Sequence, residues 1–119
     1  MEAYWNGLHG ARKILANSPD LVHKPSHMDA EIRNAQGEKL DYAYHSAQGD
    51  CPFTVIIGHG VTANMNRPFV EALAKGLAMA GIPTLRFSFS GNGDSEGRFE
   101  DSCVSKEVED LGAVIDAVK

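Results

Sequence analysis

The sequence has few of the features that mark specialised classes of protein. It contains only two cysteines, Cys51 and Cys103, which are too few and too far apart for a disulfide framework or a zinc knuckle. Its 11 lysines and arginines, against 16 aspartates and glutamates, form no basic cluster, so a nucleic-acid-binding surface is excluded. No apolar run approaches the ~18 residues of a membrane helix, and the first ten residues lack the apolar core of a signal peptide. We therefore expect a cytoplasmic protein with no nucleic-acid or membrane partner.

The remaining composition is that of an ordinary globular domain. With 119 residues, 43% of them hydrophobic and 23% charged, the chain is long enough for one domain with a modest core. Apolar residues recur at helical spacing near the N-terminus, but glycines weaken that pattern and prolines follow it. Pro25 also separates His23 from His27, which argues against a zinc pair on a helix. We interpret residues 1–28 as an N-terminal extension and residues 29–119 as the domain.

From residue 31 the sequence has the period of two that is typical of strands. Residues 31–34 and 39–44 alternate between apolar and polar, and Leu40, Tyr42 and Tyr44 share one face. Because residues 35–38 supply a turn between these segments, the pattern predicts an antiparallel hairpin.

The centre of the pattern is residues 55–57, Val-Ile-Ile, an unbroken β-branched run. Such a run predicts a strand buried on both faces of a parallel sheet. It stops at Gly58, His59 and Gly60, where small residues allow a sharp turn and a close approach of the backbone to a ligand. Ligands of open α/β sheets bind at the carboxyl ends of strands, and free amides in such a loop could hold a developing negative charge.

Two helices are predicted, one on each side of a second strand in the chain. Arg67 and Pro68 open the first, and Gly81 ends it. Its apolar stripe consists of Phe69, Leu73 and Leu77, widened by Val70 and Ala74. Residues 84–89 form the second strand, which should run parallel to the first because a strand, a helix and a strand make a βαβ unit. The last helix is predicted from about Ser102, with an apolar stripe made of Val104, Val108, Leu111, Ile115 and Val118.

A glycine-rich loop follows the second strand and consists of Ser90, Gly91, Asn92, Gly93, Asp94, Ser95, Glu96 and Gly97. Its glycines are one residue too widely spaced for a dinucleotide fingerprint, and no helix opens on it. Its polar residues match the first half of a calcium-binding EF-hand loop, but Cys103 occupies the position of the required glutamate. We favour a structural loop beside an active site, in which Asp94 and Ser95 bond their own backbone.

Three segments in this order resemble the N-terminal half of an α/β-hydrolase. They are His-Gly-Val-Thr-Ala-Asn at residues 59–64, Arg-Phe-Ser-Phe-Ser-Gly-Asn-Gly-Asp-Ser-Glu-Gly at 86–97, and Phe-Glu-Asp at 99–101. The resemblance covers about residues 29–119 and points to serine esterases of the cinnamoyl or feruloyl type and to serine-aminopeptidase-like hydrolases. It implies an α/β sheet with an N-terminal hairpin and parallel strands flanked by helices. It also implies a small-molecule carboxylic ester as substrate of the intact enzyme, and neither a cofactor nor a metal.

The resemblance assigns roles to the two loops. The backbone N–H of Val61, the residue after His-Gly, would be one donor of the oxyanion hole, and the residue after the nucleophile would be the other. Gly58, His59, Gly60 and Thr62 would support this loop, with His59 orienting it through its ring nitrogens. His59 would not be the catalytic base, because the family order is serine, acid, histidine. The glycine-rich loop, from residue 90 to residue 95, would form the rim of the active site.

The sequence departs from the family in one respect. It has no G-x-S-x-G motif, since Ser88 and Asn92 flank Ser90 where that motif has glycines. By the resemblance, the nucleophile, the acid and the histidine would lie beyond Lys119, so we expect a sheet truncated before the nucleophile strand and an inactive chain. The open edge of strand 55–57 could then recruit a second copy. The alternative is a non-catalytic binding or assembly module that reuses half of the fold, and a nucleotide-binding Rossmann fragment is a distant third.

Overall fold

A computed structural model describes residues 31–119, so the predicted N-terminal extension and the start of the domain at residue 29 lie outside the described residues. The elements in chain order are β1 (Ile32–Arg33), β2 (Lys39–Leu40), β3 (Tyr42–His45), β4 (Val55–Ile57), α1 (Pro68–Met79), β5 (Thr84–Phe87), a 3₁₀ helix (Phe99–Asp101) and α2 (Val104–Val118). None of the helices within residues 31–119 has the length and apolar character needed to span a bilayer.

β5 lies in the middle of a three-stranded sheet, with β3 on one side and β4 on the other. β4 runs parallel to β5, with Ile56 beside Leu85, which confirms the predicted βαβ unit, and β3 runs antiparallel. All four residues of β5 are buried, whereas the residues of β4 are only half-buried. The prediction that residues 55–57 are buried on both faces is therefore wrong. Among the described strands β4 is an edge strand, and β5 is the strand covered on both faces.

β1 and β2 form the predicted antiparallel hairpin, with Ile32 opposite Leu40. Asn34 closes the turn, because its Oδ1 accepts the backbone N–H groups of Gln36 and Glu38 at 3.0 and 2.9 Å. Asparagine favours turns because its short polar side chain can form a hydrogen bond with the backbone two residues ahead.

The predicted strand at residues 39–44 is divided at Asp41. The Asp41 C=O accepts the N–H of Ser88, and its N–H donates to Ser95 Oγ, both at residues that follow β5. This change of partner releases β3 from the hairpin and lets it pair with β5. The same change ties the hairpin to the glycine-rich loop.

α1 begins with Pro68 at its first turn, as predicted, where the missing N–H would be unpaired in any residue. The predicted apolar stripe faces the sheet only in part: Phe69 and Leu73 are 70% and 49% exposed, whereas Val70 and Ala74, which were predicted to widen the stripe, are buried. The buried residues are Val70, Ala74 and Ala78, one helical turn apart. Small side chains at this spacing let the helix backbone approach β5 closely, which the larger residues would prevent.

The end of α1 has the predicted glycine stop. Gly81 has a φ of +93°, its N–H donates to Ala78 O, and the N–H of Ile82 donates to Leu77 O. This pair of bonds is the Schellman arrangement, which satisfies the last helical carbonyls and requires a residue that tolerates the left-handed region.

α2 begins at Val104, two residues later than predicted, after the 3₁₀ helix and an extended Cys103. Four of the five residues in its predicted apolar stripe are exposed rather than buried: Val104 and Val108 are 77% and 63% exposed, and Leu111 and Ile115 are exposed as well, while Val118 packs on the core. The buried residues of the helix are Asp110 and Val114. The residues packed beside them on the core are Ala113, Ala117 and Val118. The helix therefore meets the sheet through its smaller side chains and one carboxylate.

The alternation of β5 separates the two layers of helices. Leu85 and Phe87 point to one face, where they join a core whose other members are Ile32, Leu40, Tyr42 and Val114 of α2. Arg86 points to the opposite face, where it bonds residues just before α1. α1 and α2 thus cover opposite faces of the sheet.

Candidate functional site

Two loops leave the sheet at the same edge because β4 and β5 are parallel. Phe89, after β5, connects them: its N–H donates to His59 Nε2 at 3.0 Å, and the two rings pack edge to face with centroids 5.1 Å apart. Gly58 lies beside this contact, and a Cβ there would come within 3.0 Å of the Phe89 ring. The structure therefore places the predicted His-Gly loop against the start of the glycine-rich loop.

The hydrogen bonds of His59 define its tautomer. Nε2 accepts the N–H of Phe89, so this nitrogen carries no proton. Nδ1 lies 2.8 Å from Gly60 O and carries the ring proton that it donates to that oxygen. His59 is therefore a neutral ring with both nitrogens occupied by backbone groups, which leaves neither nitrogen free to act as a base.

The carbonyl of Gly60 is held from two directions, by His59 Nδ1–H and by the N–H of Ala63 at 3.2 Å. The Gly60–Val61 peptide is trans, so the N–H of Val61 points away from that carbonyl. No residue that the structure describes accepts the Val61 N–H. Thr62 follows with a φ of +59° and donates its hydroxyl to Val61 O at 2.6 Å. A β-branched residue in this region stores about 1–3 kcal/mol of strain, which is characteristic of functional loops.

At two glycines of the glycine-rich loop a larger residue would be strained. Gly91 has a φ of +81°, and a Cβ on it would lie 2.6 Å from Arg98 O. Gly93 has a φ of +54°, and its Cβ would lie 2.9 Å from Ser88 Oγ. The left-handed backbone and the close approach together explain why glycine occurs at these two positions.

The polar residues of this loop bond mainly within the protein. Asn92 is buried and donates its side-chain amide to Ser90 O at 3.2 Å. Ser95 is also buried and donates its hydroxyl to Ser88 O at 2.7 Å rather than to its own backbone. Asp94 is exposed. This is the arrangement of a rigid structural loop.

Asp110 is a buried charge at the centre of the molecule, with 0% exposure. Its Oδ2 accepts the N–H and the hydroxyl of Ser90 at 2.8 and 2.7 Å, and its Oδ1 accepts the side-chain amide of Asn34 at 2.8 Å. The same amide bonds Glu38, which also pairs with Lys106 at 2.9 Å. The Asn34 bond, and next to it Lys106, hold the pKa of Glu38 below its ordinary value. α2 is thus fastened to the hairpin turn and to the start of the glycine-rich loop.

Arg86 is a second buried charge, on the opposite face of β5. Its Nε donates to His45 Nε2 at 2.9 Å, and its Nη1 donates to Met65 O at 2.9 Å and to Asn66 Oδ1 at 3.0 Å. Burial, and after it the charge of Arg86, hold the pKa of His45 below its ordinary value. Arg86 therefore connects β3 to the segment between the His-Gly loop and α1.

Sequence reasoning missed both buried charges, although each left a signal. Arg86 stands between Leu85 and Phe87 in an otherwise apolar strand, which is typical of a charge with a buried partner. Asp110 extends the second, smaller stripe of α2 that also includes Val114. That stripe is less hydrophobic than the exposed one, so hydrophobic periodicity does not select it.

A cavity of about 370 Å³ opens beside the His-Gly loop. It brings together three of the predicted site residues: Gly60, Val61 and Asn92. Its other lining residues come from the 3₁₀ helix and the start of α2: Phe99, Glu100, Ser102, Cys103, Val104 and Glu107. The remaining predicted site residues do not line it. The buried Ser102 Oγ has no hydrogen-bond partner among the described residues.

No protein-family model and no curated protein sequence matches the chain. Solved structures do match. One is Est1E from Butyrivibrio proteoclasticus with ferulic acid bound, at 29% identity and a TM-score of 0.66, covering 75% of this chain and 36% of that one. Another is an alpha-beta serine hydrolase homologue from Coxiella burnetii, at 32% identity and a TM-score of 0.65, covering 85% and 47%. A third, from Xanthomonas campestris, is described as an a/b serine hydrolase without lid, at 28% identity and a TM-score of 0.60, covering 75% and 42%. The chain thus spans less than half the length of each.

Proposed function

The chain belongs to the α/β-hydrolase superfamily and corresponds to the N-terminal part of its fold, and we propose that it supplies the oxyanion-binding half of a carboxylic-ester hydrolase site. In such a site a serine attacks the ester carbonyl, and the carbonyl oxygen becomes an oxyanion that backbone N–H groups hold. This chain covers less than half of each matched structure, so we further propose that the nucleophile, acid and base of a complete domain come from elements that the chain does not include.

One observation carries the proposal: the orientation of the Gly60–Val61 peptide. Gly60 O is held by His59 Nδ1–H and by Ala63 N–H, so the peptide cannot rotate without breaking two bonds. The Val61 N–H therefore has a fixed direction, has no acceptor among the described residues, and belongs to a residue that lines the cavity. A donor fixed before the reaction stabilises the transition state without reorganisation and contributes about 10²–10³ in kcat.

His59 has a positioning role in this proposal. It bridges the backbone N–H of Phe89 and Gly60 O, and so couples the Val61 peptide to the rigid glycine-rich loop. Gly60 has open space where a Cβ would be, which lets an ester carbonyl approach the loop. The strained Thr62, held through its hydroxyl, completes the turn that presents the donor.

The substrate class follows from the cavity wall and from the similarity to Est1E. Val61, Phe99 and Val104 supply apolar surface, and the Phe99 ring suits an aromatic acyl group. Est1E binds ferulic acid, an aromatic acid. We propose an uncharged aromatic carboxylic ester as the substrate of the complete site.

The absence of a G-x-S-x-G motif favours a second candidate, a non-catalytic module that uses the fold for binding or assembly. For the 119-residue chain alone, both candidates predict no hydrolysis of a short-chain aryl ester. Saturable turnover that persists through repurification would contradict both, because it requires a nucleophile that neither assigns.

The two candidates differ in a complete domain, made by joining residues 31–119 to the rest of the Coxiella burnetii homologue. Val61→Ala keeps the N–H and should leave kcat within a small factor, whereas Val61→Pro removes the donor and should lower kcat by about 10²–10³. KM should change less, because the bond strengthens in the transition state. Circular dichroism must show that the proline variant is folded. A folded Val61→Pro domain with the kcat of Val61→Ala would place the oxyanion hole elsewhere, and a wild-type domain with no turnover would favour the binding module.

A further inference from the structure

Arg86 contacts four residues in three parts of the fold from a side chain that is only 9% exposed. It donates to His45 Nε2, to Met65 O and to Asn66 Oδ1. Its Nη2 also lies 3.9 Å from a carboxylate oxygen of Glu71 on α1. The two bonds to residues 65 and 66 hold the end of the loop that begins with Gly58 and carries Val61.

The bond to His45 requires that ring to be neutral. Because Arg86 has only donors, His45 Nε2 must accept, so the ring proton lies on Nδ1. His45 is 1% exposed, and its Nδ1 has no partner among the described residues. If the ring gained a second proton, a donor on Nε2 would face the donor of Arg86 at 2.9 Å, and two positive charges would be in contact.

The charged groups that face His45 come from the two elements packed on β3. Arg86 of β5 and Lys75 of α1 oppose its protonation, and Glu71 of α1 favours it. Glu71 is itself paired with Lys75 at 3.0 Å, which limits what it can offer a protonated ring. Protonation of His45 therefore cannot be accommodated by the present arrangement and must displace Arg86.

We infer that His45 and Arg86 are positioning residues of the loop that carries Val61, and that protonation of His45 releases Arg86 from Met65 and Asn66 and loosens this loop in acid. The loop response is a property of the fold, and only its effect on ester hydrolysis rests on the proposed function. The hydrogen bonds that should weaken when the loop loosens include the one from Met65 N–H to Ser88 Oγ at 3.0 Å, which joins this loop to the start of the glycine-rich loop.

The sign of the pH dependence follows from the lowered pKa of His45. The unfolded or opened chain binds a proton near the ordinary value of 6.5, whereas the closed loop resists it. The closed arrangement is therefore fully stable above about pH 6.5 and loses stability as the pH falls below it. The population of the open loop should rise by up to about tenfold for each pH unit below about 6.5.

The test is nuclear magnetic resonance of the 119-residue chain between neutral and mildly acidic pH. The His45 ring signals report its protonation, and hydrogen exchange of the Ala63 and Met65 amides, expressed as protection factors, reports the loop. We expect the loop protection to fall by about tenfold or more across the same pH range in which His45 titrates. The Leu85 amide in the buried β5 should stay protected and so distinguishes loop opening from global unfolding.

His45→Gln is the decisive variant, because the glutamine oxygen can accept from Arg86 at every pH in this range. Its loop protection should change less than about twofold over the pH range in which the wild type loses tenfold. The inference is overturned if His45→Gln loses loop protection in acid as the wild type does. If that variant does not fold, a wild-type loop that stays protected while His45 titrates overturns it equally well. Neither outcome depends on whether a complete domain hydrolyses esters.

Discussion

Replacing Asp110 by asparagine should destabilise the protein far more than the small change in shape suggests. Asp110 accepts hydrogen bonds from Ser90 at one oxygen and from Asn34 at the other. An asparagine side chain has only one oxygen, so its NH₂ group, a donor, must face either the donors of Ser90 or the donor amide of Asn34. Asn34 cannot turn over to help, because its own oxygen already accepts Gln36 N–H and Glu38 N–H in the hairpin turn.

The magnitude follows from these bonds. One buried donor is left unsatisfied, which costs about 1–3 kcal/mol, and the bonds that survive lose the contribution of the carboxylate charge. Asparagine is uncharged, so the folded state no longer has the desolvation cost of a buried carboxylate, which offsets part of this loss. We expect Asp110→Asn to lower the free energy of unfolding by about 2–4 kcal/mol and Asp110→Ala, which strands three donors, by about 3–5 kcal/mol. These are large fractions of the stability of a small domain.

The assay is urea unfolding followed by circular dichroism, with Asp116→Asn as the matched control. Asp116 is on the same helix and pairs with Lys119 at 3.4 Å, but both side chains are more than 70% exposed, so its loss should cost less than about 0.5 kcal/mol. An Asp110→Asn variant within about 0.5 kcal/mol of the wild type would refute the reasoning. It would mean that the burial cost of the charge cancels its bonds.

Two further predictions concern the exposed helix face and the glycine-rich loop. The isolated chain should self-associate in light scattering, because β4 has an unpaired edge among the described strands and α2 exposes Val108 and Leu111. Replacing Val108 and Leu111 by lysine should shift the chain toward monomer. A monomer peak for the wild-type chain would contradict this prediction. Gly91→Ala should lower the free energy of unfolding by about 1–3 kcal/mol, because its Cβ would meet Arg98 O at 2.6 Å. Gly112→Ala, in open space on α2, should raise the free energy of unfolding by about 0.5–1 kcal/mol. Equal melting temperatures for the two variants would count against the loop geometry.

The parts of the fold that depend on residues close together in the sequence could be predicted from the sequence alone. The turn at residues 35–38, the proline start of α1 and the Gly81 stop are local chemical signals, and each one occurs where it was predicted. The parallel direction of β4 and β5 also follows from their short helical connection. Predicting these elements does not require knowing which residues pack on them.

In both helices most of the largest residues of the predicted stripe are exposed, for one physical reason. Hydrophobic periodicity selects the largest apolar side chains, but α1 meets the sheet through Val70 and Ala74, and α2 meets it through Val114 and its small neighbours. Which stripe is buried depends on how closely the helix approaches the sheet, and that distance is a property of the whole fold.

The candidate site shows the same division between local and distant contacts. The His-Gly loop and the glycine-rich loop are continuous motifs, and the structure places them side by side. Asp110 and Arg86 were missed because their partners are distant in the chain: Asn34 is 76 residues from Asp110, and His45 is 41 residues from Arg86. No periodicity or spacing relates residues so far apart, so only the folded structure reveals these bonds.

The central claim is that the Val61 N–H holds the oxyanion, and a structure of the complete domain bound to an aryl phosphonate tests it most directly. The serine oxygen bonds to phosphorus and displaces the aryloxide, and the remaining phosphonate carries a charged oxygen where the oxyanion forms. Our account predicts this oxygen about 2.7–3.1 Å from Val61 N, with His59 still bridging Phe89 N–H and Gly60 O. A phosphonate oxygen held by other donors, with the Val61 N–H directed elsewhere, would contradict the account.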